Sequence, residues 1–394
     1  MIRSFFQKKS TKFIAIILLG VFFVLSVLTV ISVIGYRGIF NHLTTYDKIS
    51  STHEIEVLQD SNNITSIRNI DNSEGLKVLQ LTDLHIGCSI GTYSKDRAAF
   101  DAVYKIISNS KPDLIVLTGD MCYPFFLTLG INNSLQAKAV ATFFENIGIY
   151  WTVNFGNHED MGLVVFDAEE LANYLSGFEH CLLNIEDGGI TGESNYIIKV
   201  LNNDKTFNSA LVFLDSNNYI DGVNNYDRIH DDQINWYKDT INDLAKEYNK
   251  KTNEINTFLF IHIPLQAYAD AYKDYRNSGK TEMLYGKIEE NICSPDNKDN
   301  FFDTVKELGS TIAIFCGHDH KNYCAMKYNN VILSYGMSID YLAYIGIHNS
   351  NTQRGGQLIR IREDNSFVLS QIPETNNFME TSRYKINIDK LKRG

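Results

Sequence analysis

Five short apolar segments of this 394-residue chain each run into residues that bind cations, and that recurrence restricts the fold more than any other feature. Lys77-Val78-Leu79-Gln80-Leu81 leads into Asp83-Leu84-His85, and Leu114-Ile115-Val116-Leu117 into Gly119-Asp120. Tyr150-Trp151-Thr152-Val153 precedes Gly156-Asn157-His158-Glu159. Phe258 to Ile261 ends at His262, and Ile312 to Phe315 runs into Gly317-His318-Asp319-His320. Taken singly, each motif has an ordinary explanation: a turn for Gly119-Asp120, a helix cap for Asn157-His158, a hydrogen-bonded core imidazole for His262. Together they hold five of the ten histidines, each just past an apolar strand. Sheets of α/β proteins bind ligands at the carboxyl ends of their strands, so five such ends can meet in one crevice.

The intervening sequence supplies the helices. Tyr93 to Ser108, Leu135 to Asn146 and Asp231 to about Tyr248 repeat apolar residues at helical spacing, the last through Ile234, Tyr237, Ile241 and Leu244. From Tyr323 to Ile372 hairpins take over, with strands at Val331–Tyr335, Gly356–Ile361 and Ser366–Leu369 and turns at Asn329-Asn330 and Asp364-Asn365. Alternating βα units that end in hairpins predict a mixed, layered α/β domain with helices outside. Only five prolines occur and no linker divides the body, so one catalytic domain is expected over 75–372, followed by a tail at 373–394.

The residue types fit a pair of divalent or trivalent ions, which lie about 3.5–4 Å apart and need a bridging carboxylate, hard oxygens and imidazoles. Asp120 is the expected bridge. Asp83, His85 and one further histidine would complete one ion; Asn157, His262 and another histidine would complete the second. Gly119, Gly156 and Gly317 allow the tight backbone turns that aim the neighbouring side chains.

This constellation resembles the calcineurin-like metallophosphoesterase superfamily, whose motifs D-x-H, G-D, G-N-H-[DE], H and G-H-x-H are all intact between residues 76 and 336. The resemblance implies a four-layer α/β/β/α sandwich of two mixed sheets. It implies one ion held by Asp83, His85, Asp120 and His320, and a second by Asp120, Asn157, His262 and His318. His158 matches the histidine that contacts phosphate and assists the leaving group, so Asn157 and His158 are expected to bind substrate. Arg354 is a further candidate for phosphate. The ions would be Fe, Mn or Zn. The implied reaction is hydrolysis of phosphate monoesters by a metal-bridging hydroxide, with a phosphodiesterase or lipid-headgroup pyrophosphatase as the alternative. The expected substrate is a phosphorylated small molecule, protein or lipid headgroup. Phe155-Gly156-Asn157-His158-Glu159, Gln233-x-x-Trp236 and Ile261-His262-Ile263-Pro264 are most similar to a branch related to purple acid phosphatases. Those enzymes have glycine where His85 stands and use a tyrosine of G-D-x-x-Y as an iron ligand. With His85 present, Tyr123 is expected to pack beside the metals, which leaves a fixed iron open.

The amino-terminal end is a separate physical object. Phe13 to Tyr36 is a 24-residue run without charge, and about 20 residues of helix cross a hydrocarbon core. Arg3, Lys8, Lys9 and Lys12 precede it with no acid, a bias that keeps the basic tail at 1–12 cytoplasmic and sends the body across. One transmembrane signal anchor at 13–36 is therefore expected, followed by a stalk at 37–74 and an extracytoplasmic body. Signal cleavage and secretion is the alternative. The chain carries a net charge of −11, and residues 37–394 hold 32 basic against 47 acidic residues. A protein that collects nucleic-acid phosphates needs a basic face, so no nucleic-acid partner is expected. The six cysteines include no C-x-x-C, which argues against a zinc ribbon, and buried thiols are the expected state for most of them.

Overall fold

The computed structural model describes residues 2–61, 63–71, 75–124, 132–159, 161, 165–185, 189–220, 225–344 and 354–393; side chains at 2–12, 15, 25, 28, 29, 31 and 32 fall outside the description too. The elements run α1 (Ile2–Leu43), β1 (Ile55–Gln59), β2 (Thr65–Asn69), β3 (Leu76–Leu81), α2 (Tyr93–Ser110), β4 (Leu114–Thr118), α3 (Asn133–Ile147), β5 (Tyr150–Asn154), α4 (Ala168–Ser176), β6 (Tyr196–Leu201), β7 (Phe207–Phe213), α5 (Asp231–Glu247), β8 (Thr257–Phe260), α6 (Gln266–Arg276), β9 (Glu282–Lys287), α7 (Phe301–Leu308), β10 (Thr311–Cys316), β11 (Tyr323–Tyr328), β12 (Val331–Tyr335), β13 (Gly355–Ile361), β14 (Ser366–Pro373), β15 (Thr381–Asn387) and α8 (Ile388–Arg393).

Two mixed sheets form. One has nine strands in the order β1-β2-β6-β7-β8-β10-β12-β11-β9, the other six in the order β15-β14-β13-β3-β4-β5. Successive strand residues face opposite ways, and the apolar residues of the nine-stranded sheet divide accordingly. Phe258 and Phe260 of β8, with Leu211 and Phe213 of β7, join the core shared with the six-stranded sheet, α2 and α3. Leu259 and Ile261, with Ala210, Val212 and Leu214, join a second core beneath α5, α6 and α7. Phe258 meets Phe367 of β14 across the first core at 5.2 Å between ring centroids. The sheets therefore lie face to face with helices outside each.

Two expectations are corrected. Residues 37–74 are not a stalk: β1 and β2 form the edge of the nine-stranded sheet, and Ile67 is fully buried. The strands have five residues each and alternate with charged Glu56 and Arg68, so their pattern is too brief to read. Residues 373–394 are not a tail either. β15 pairs antiparallel with β14, and α8 buries Ile388 and Leu391. Among the described residues no helix is long and apolar enough to cross a membrane, so the span expected at 13–36 is not found there. That segment belongs to α1, whose side chains at Phe13, Phe22, Phe23 and Val30 are exposed, while Ile39 and Leu43 near its end are buried. All six cysteines are free thiols and Cys293 alone is exposed.

Candidate metal centre

Strands β3, β4 and β5 run parallel, as do β7, β8, β10 and β12 in the other sheet. A bridge between Thr82 and Ser338 ties the two sets together just beyond their carboxyl ends. The five motifs expected from sequence meet there. Asp120 Oδ2 lies 3.1 Å from His262 Nε2, 3.3 Å from His85 Nε2 and 3.9 Å from His158 Nε2. His320 Nε2 is 3.5 Å from Asp83 Oδ1, and His318 Nδ1 is 3.3 Å from His262 Nε2.

The backbone is bent to achieve this. Asp83, His85, Asp120 and His318 have φ of 54°, 50°, 53° and 73°, in the left-handed region that side chains other than glycine rarely adopt. Each such residue costs about 1 kcal/mol or more, and hydrogen bonds across the loops hold them. His85 N–H donates to Asp120 O at 2.9 Å, His158 N–H to Asp120 Oδ1 at 3.0 Å, and His318 N–H to Asp83 Oδ1 at 3.1 Å. Gly119, at φ 81°, lies against the His262 ring, where a Cβ would clash. Glu159 has a positioning role: its buried carboxylate accepts from the N–H groups of Met121 at 2.7 Å, Gly156 at 2.8 Å and Asp120 at 3.2 Å. It thereby locks the second motif to the third.

The donor set fits two cations. Asp83, His85, Asp120 and His320 form one group and Asp120, His262 and His318 another, with the ligand atoms in each within 4.8 Å of one another. Asn157 stands beside the second group, its Nδ2 donating to the Tyr219 hydroxyl at 3.1 Å. His85 Nε2, Asp120 Oδ2 and Asn157 Oδ1 are buried without a hydrogen-bond partner among the described atoms. Buried polar atoms are expensive to leave unpaired, and a cation satisfies all three.

Electrostatics agree with that reading. Burial opposes charge on His262 and His320, but carboxylates outweigh it: Asp120 raises His262 to about 10, and Asp83 and Asp340 raise His320 to about 9. Burial pushes Asp120 up, and the imidazoles of His262 and His158 bring it well below the usual carboxylate range. Burial pushes His158 down to about 4, so its ring is neutral at pH 7.

Sequence reasoning missed Asp340. Its fully buried carboxylate lies 3.2 Å from His320 Nδ1 and 3.7 Å from His85 Nδ1, so it faces the back of two ligand imidazoles. The signal was present, since β12 was legible as an apolar strand, but the acid stands five residues beyond its end. Arg354, by contrast, is buried away from the role expected of it. Its Nε donates to the Asp340 carbonyl at 3.0 Å, its Nη1 lies 3.5 Å from Glu374, and the guanidinium sits 4.1 Å over the Tyr341 ring. It braces the Asp340 turn, and a phosphate would have to compete with those partners. Tyr123 packs its ring against His85 and His158, with centroids 5.3 and 5.2 Å apart.

Residues 76–322 match the family model described as calcineurin-like phosphoesterase. The Arabidopsis thaliana protein named "Probable inactive purple acid phosphatase 14" is 28% identical over 305 residues, covering 69% of this chain and 73% of its own length. "Probable inactive purple acid phosphatase 29" of the same plant is 27% identical over 298 residues, covering 68% and 72%. A dimetal phosphatase of Danio rerio shares the fold, with a TM-score of 0.53 at 10% identity, covering 80% of this chain and 100% of that one. The five motifs that meet between the two sheets lie within the matched span, and the chain belongs to the calcineurin-like phosphoesterase family.

Proposed function

We propose that the protein is a two-metal phosphatase that hydrolyses phosphate monoesters. The observation that carries this reading is the convergence of Asp83, His85, Asp120, His262, His318 and His320 on one buried carboxylate, with His158 beside it. The two plant relatives carry "inactive" in their names, but this chain retains every ligand position of the motifs and His158 as well. Two ions held there would supply a hydroxide at neutral pH and neutralise the phosphoryl oxygens. The protein's own part is orientation and proton transfer. Asp120 spans both ligand groups, and Asn157 and His158 are placed together by the third motif. His158 Nδ1 is buried without a partner, and the neutral ring carries one N–H for the ester oxygen as the phosphorus–oxygen bond breaks. Water adds its oxygen to phosphorus, and the departing alcohol takes a proton.

The body would act outside the cytoplasm, released by cleavage within the uncharged amino-terminal run. The uncharged run behind a basic end supports export, and amino-terminal sequencing of the secreted protein would test it. For the chemistry, p-nitrophenyl phosphate and its bis ester separate monoesterase from diesterase. Asp120→Asn and His262→Ala should each abolish metal-dependent turnover; unchanged turnover in both would overturn the two-metal reading.

A further inference from the structure

The two ligand groups are unequally supported. Around Asp83, His85, Asp120 and His320 stand two carboxylates in direct reach and a third, Asp340, behind both imidazoles. Around His262 and His318 the carboxylate is the shared Asp120, and Asn157 adds a neutral amide. His262 Nδ1 is backed by the carbonyl of Thr118 at 2.8 Å, a dipole where Asp340 offers a full charge. An imidazole that faces a carboxylate is fixed in orientation and becomes a stronger donor, and loss of such a partner costs about 10–100-fold in metal affinity.

Asp340 is also held rigidly. Oδ1 accepts from the N–H groups of Leu342 and Ala343 and Oδ2 from that of Tyr344, all at 2.7 Å, while Arg354 holds its carbonyl. The carboxylate is thus fixed by its own turn and does not depend on the histidines for its position.

We infer that Asp340 is a positioning residue that makes the two metal positions unequal, so the ion at His85 and His320 is held tightly and the ion at His262 and His318 leaves first. This rests on the two-metal reading above. Its consequence is a stable one-metal form, from which activity is restored by supplying a single ion.

The test uses the full chain loaded with Zn2+ and titrated with a chelator, with metal content read by mass spectrometry. Wild type should lose one equivalent well before the other. Asp340→Asn should narrow the ratio of the two midpoints by about tenfold or more, and Asp340→Glu should keep much of it. An unchanged ratio in a folded Asp340→Asn protein overturns the inference while leaving the two-metal reading intact. Wild type that never exceeds one equivalent overturns both. Should the variants fail to fold, anomalous diffraction from half-depleted wild type decides: the remaining ion must lie between His85 and His320, and one found at His262 and His318 sinks the proposal.

Discussion

Tyr226 stands edge-on to His318, their ring centroids 4.5 Å apart at 89°. Tyr226 comes from the loop before α5 and also packs against Tyr219, which reaches Asn157. Burial and the neighbouring imidazolium of His262 hold His318 well below its ordinary value, in the neutral form that a metal needs. Removing the ring would admit water and let that value rise. Tyr226→Ala should therefore retain less metal than wild type at pH 5.5, by about threefold or more, and match it at pH 7.5. Tyr226→Phe keeps the ring and should behave as wild type; equal metal content of Tyr226→Ala at both pH values would refute the shielding role.

Metal loading should release protons. With no cation present, the carboxylates that outweigh burial hold His262 at about 10 and His320 at about 9, so both rings are protonated at pH 7. Ligation requires the neutral rings, so about two protons leave per pair of ions. The sign follows: apparent affinity climbs with pH between 6 and 9. Calorimetric heats of binding should differ between buffers of unlike ionisation enthalpy, and identical heats would contradict the arrangement.

Gly156 tests how closely the backbone approaches the bridge. A Cβ there would fall against Asp120 Oδ1, the Asp120 N–H and the His262 ring. Backbone and a hydrogen-bonded carboxylate cannot give way cheaply, so Gly156→Ala should displace Asp120. The variant should fold, since β5 ends before it at Asn154 and keeps its pairing with β4, yet show turnover reduced by about a hundredfold or more with a metal deficit. Normal metal content with normal turnover would show the loop to be more compliant than its contacts suggest.

Much of this was legible in advance, for physical reasons. The strands of the core are unbroken apolar runs such as Leu114–Leu117, and the ligands follow them within a few residues, so sequence adjacency carried spatial adjacency. The helix at Asp231–Glu247 showed its buried face through Ile234, Tyr237, Ile241 and Leu244. What escaped lacked that adjacency. Asp340 reaches the site by a turn beyond β12, and Arg354, expected at phosphate, is held inside by the Asp340 carbonyl and Glu374. β6, at Tyr196–Leu201, and β15 also went unseen, the latter because four successive exposed residues, Ser382 to Lys385, hide its pairing.

The carboxyl-terminal strand supplies a stability test. Glu380 accepts from both terminal nitrogens of buried Arg360 at 2.7 Å and from Arg383 at 3.0 Å, joining β13 to the entry of β15. Burial opposes its ionisation, but the two guanidinium groups bring it down to about 2. Its folded value is depressed, so the contribution is present above the ordinary 4.5 and lost as pH falls toward 2. Glu380→Gln should cost about 1–3 kcal/mol at pH 7 and only about a few tenths of that near pH 2. Denaturant melts at both pH values check this; an equal cost at pH 2 would mean that charge is not the cause.

Truncation decides whether residues 37–74 belong to the body. Ile39 and Leu43 are fully buried, Ile49 N–H donates to Ile147 O at 3.0 Å, and His53 lies 3.0 Å from the buried Asp113 carboxylate. β2 also covers β6, which is otherwise the sheet's edge. A chain starting at residue 35 keeps all of these contacts, whereas one starting at 75 exposes the apolar surface that Ile39, Leu43 and Ile67 cover. The shorter chain should aggregate or melt at least about 10 °C lower, since several fully buried side chains and an edge strand are lost together. The longer one should match the intact body in circular dichroism and metal content. Equal melting of the two would return residues 37–74 to the status of a linker.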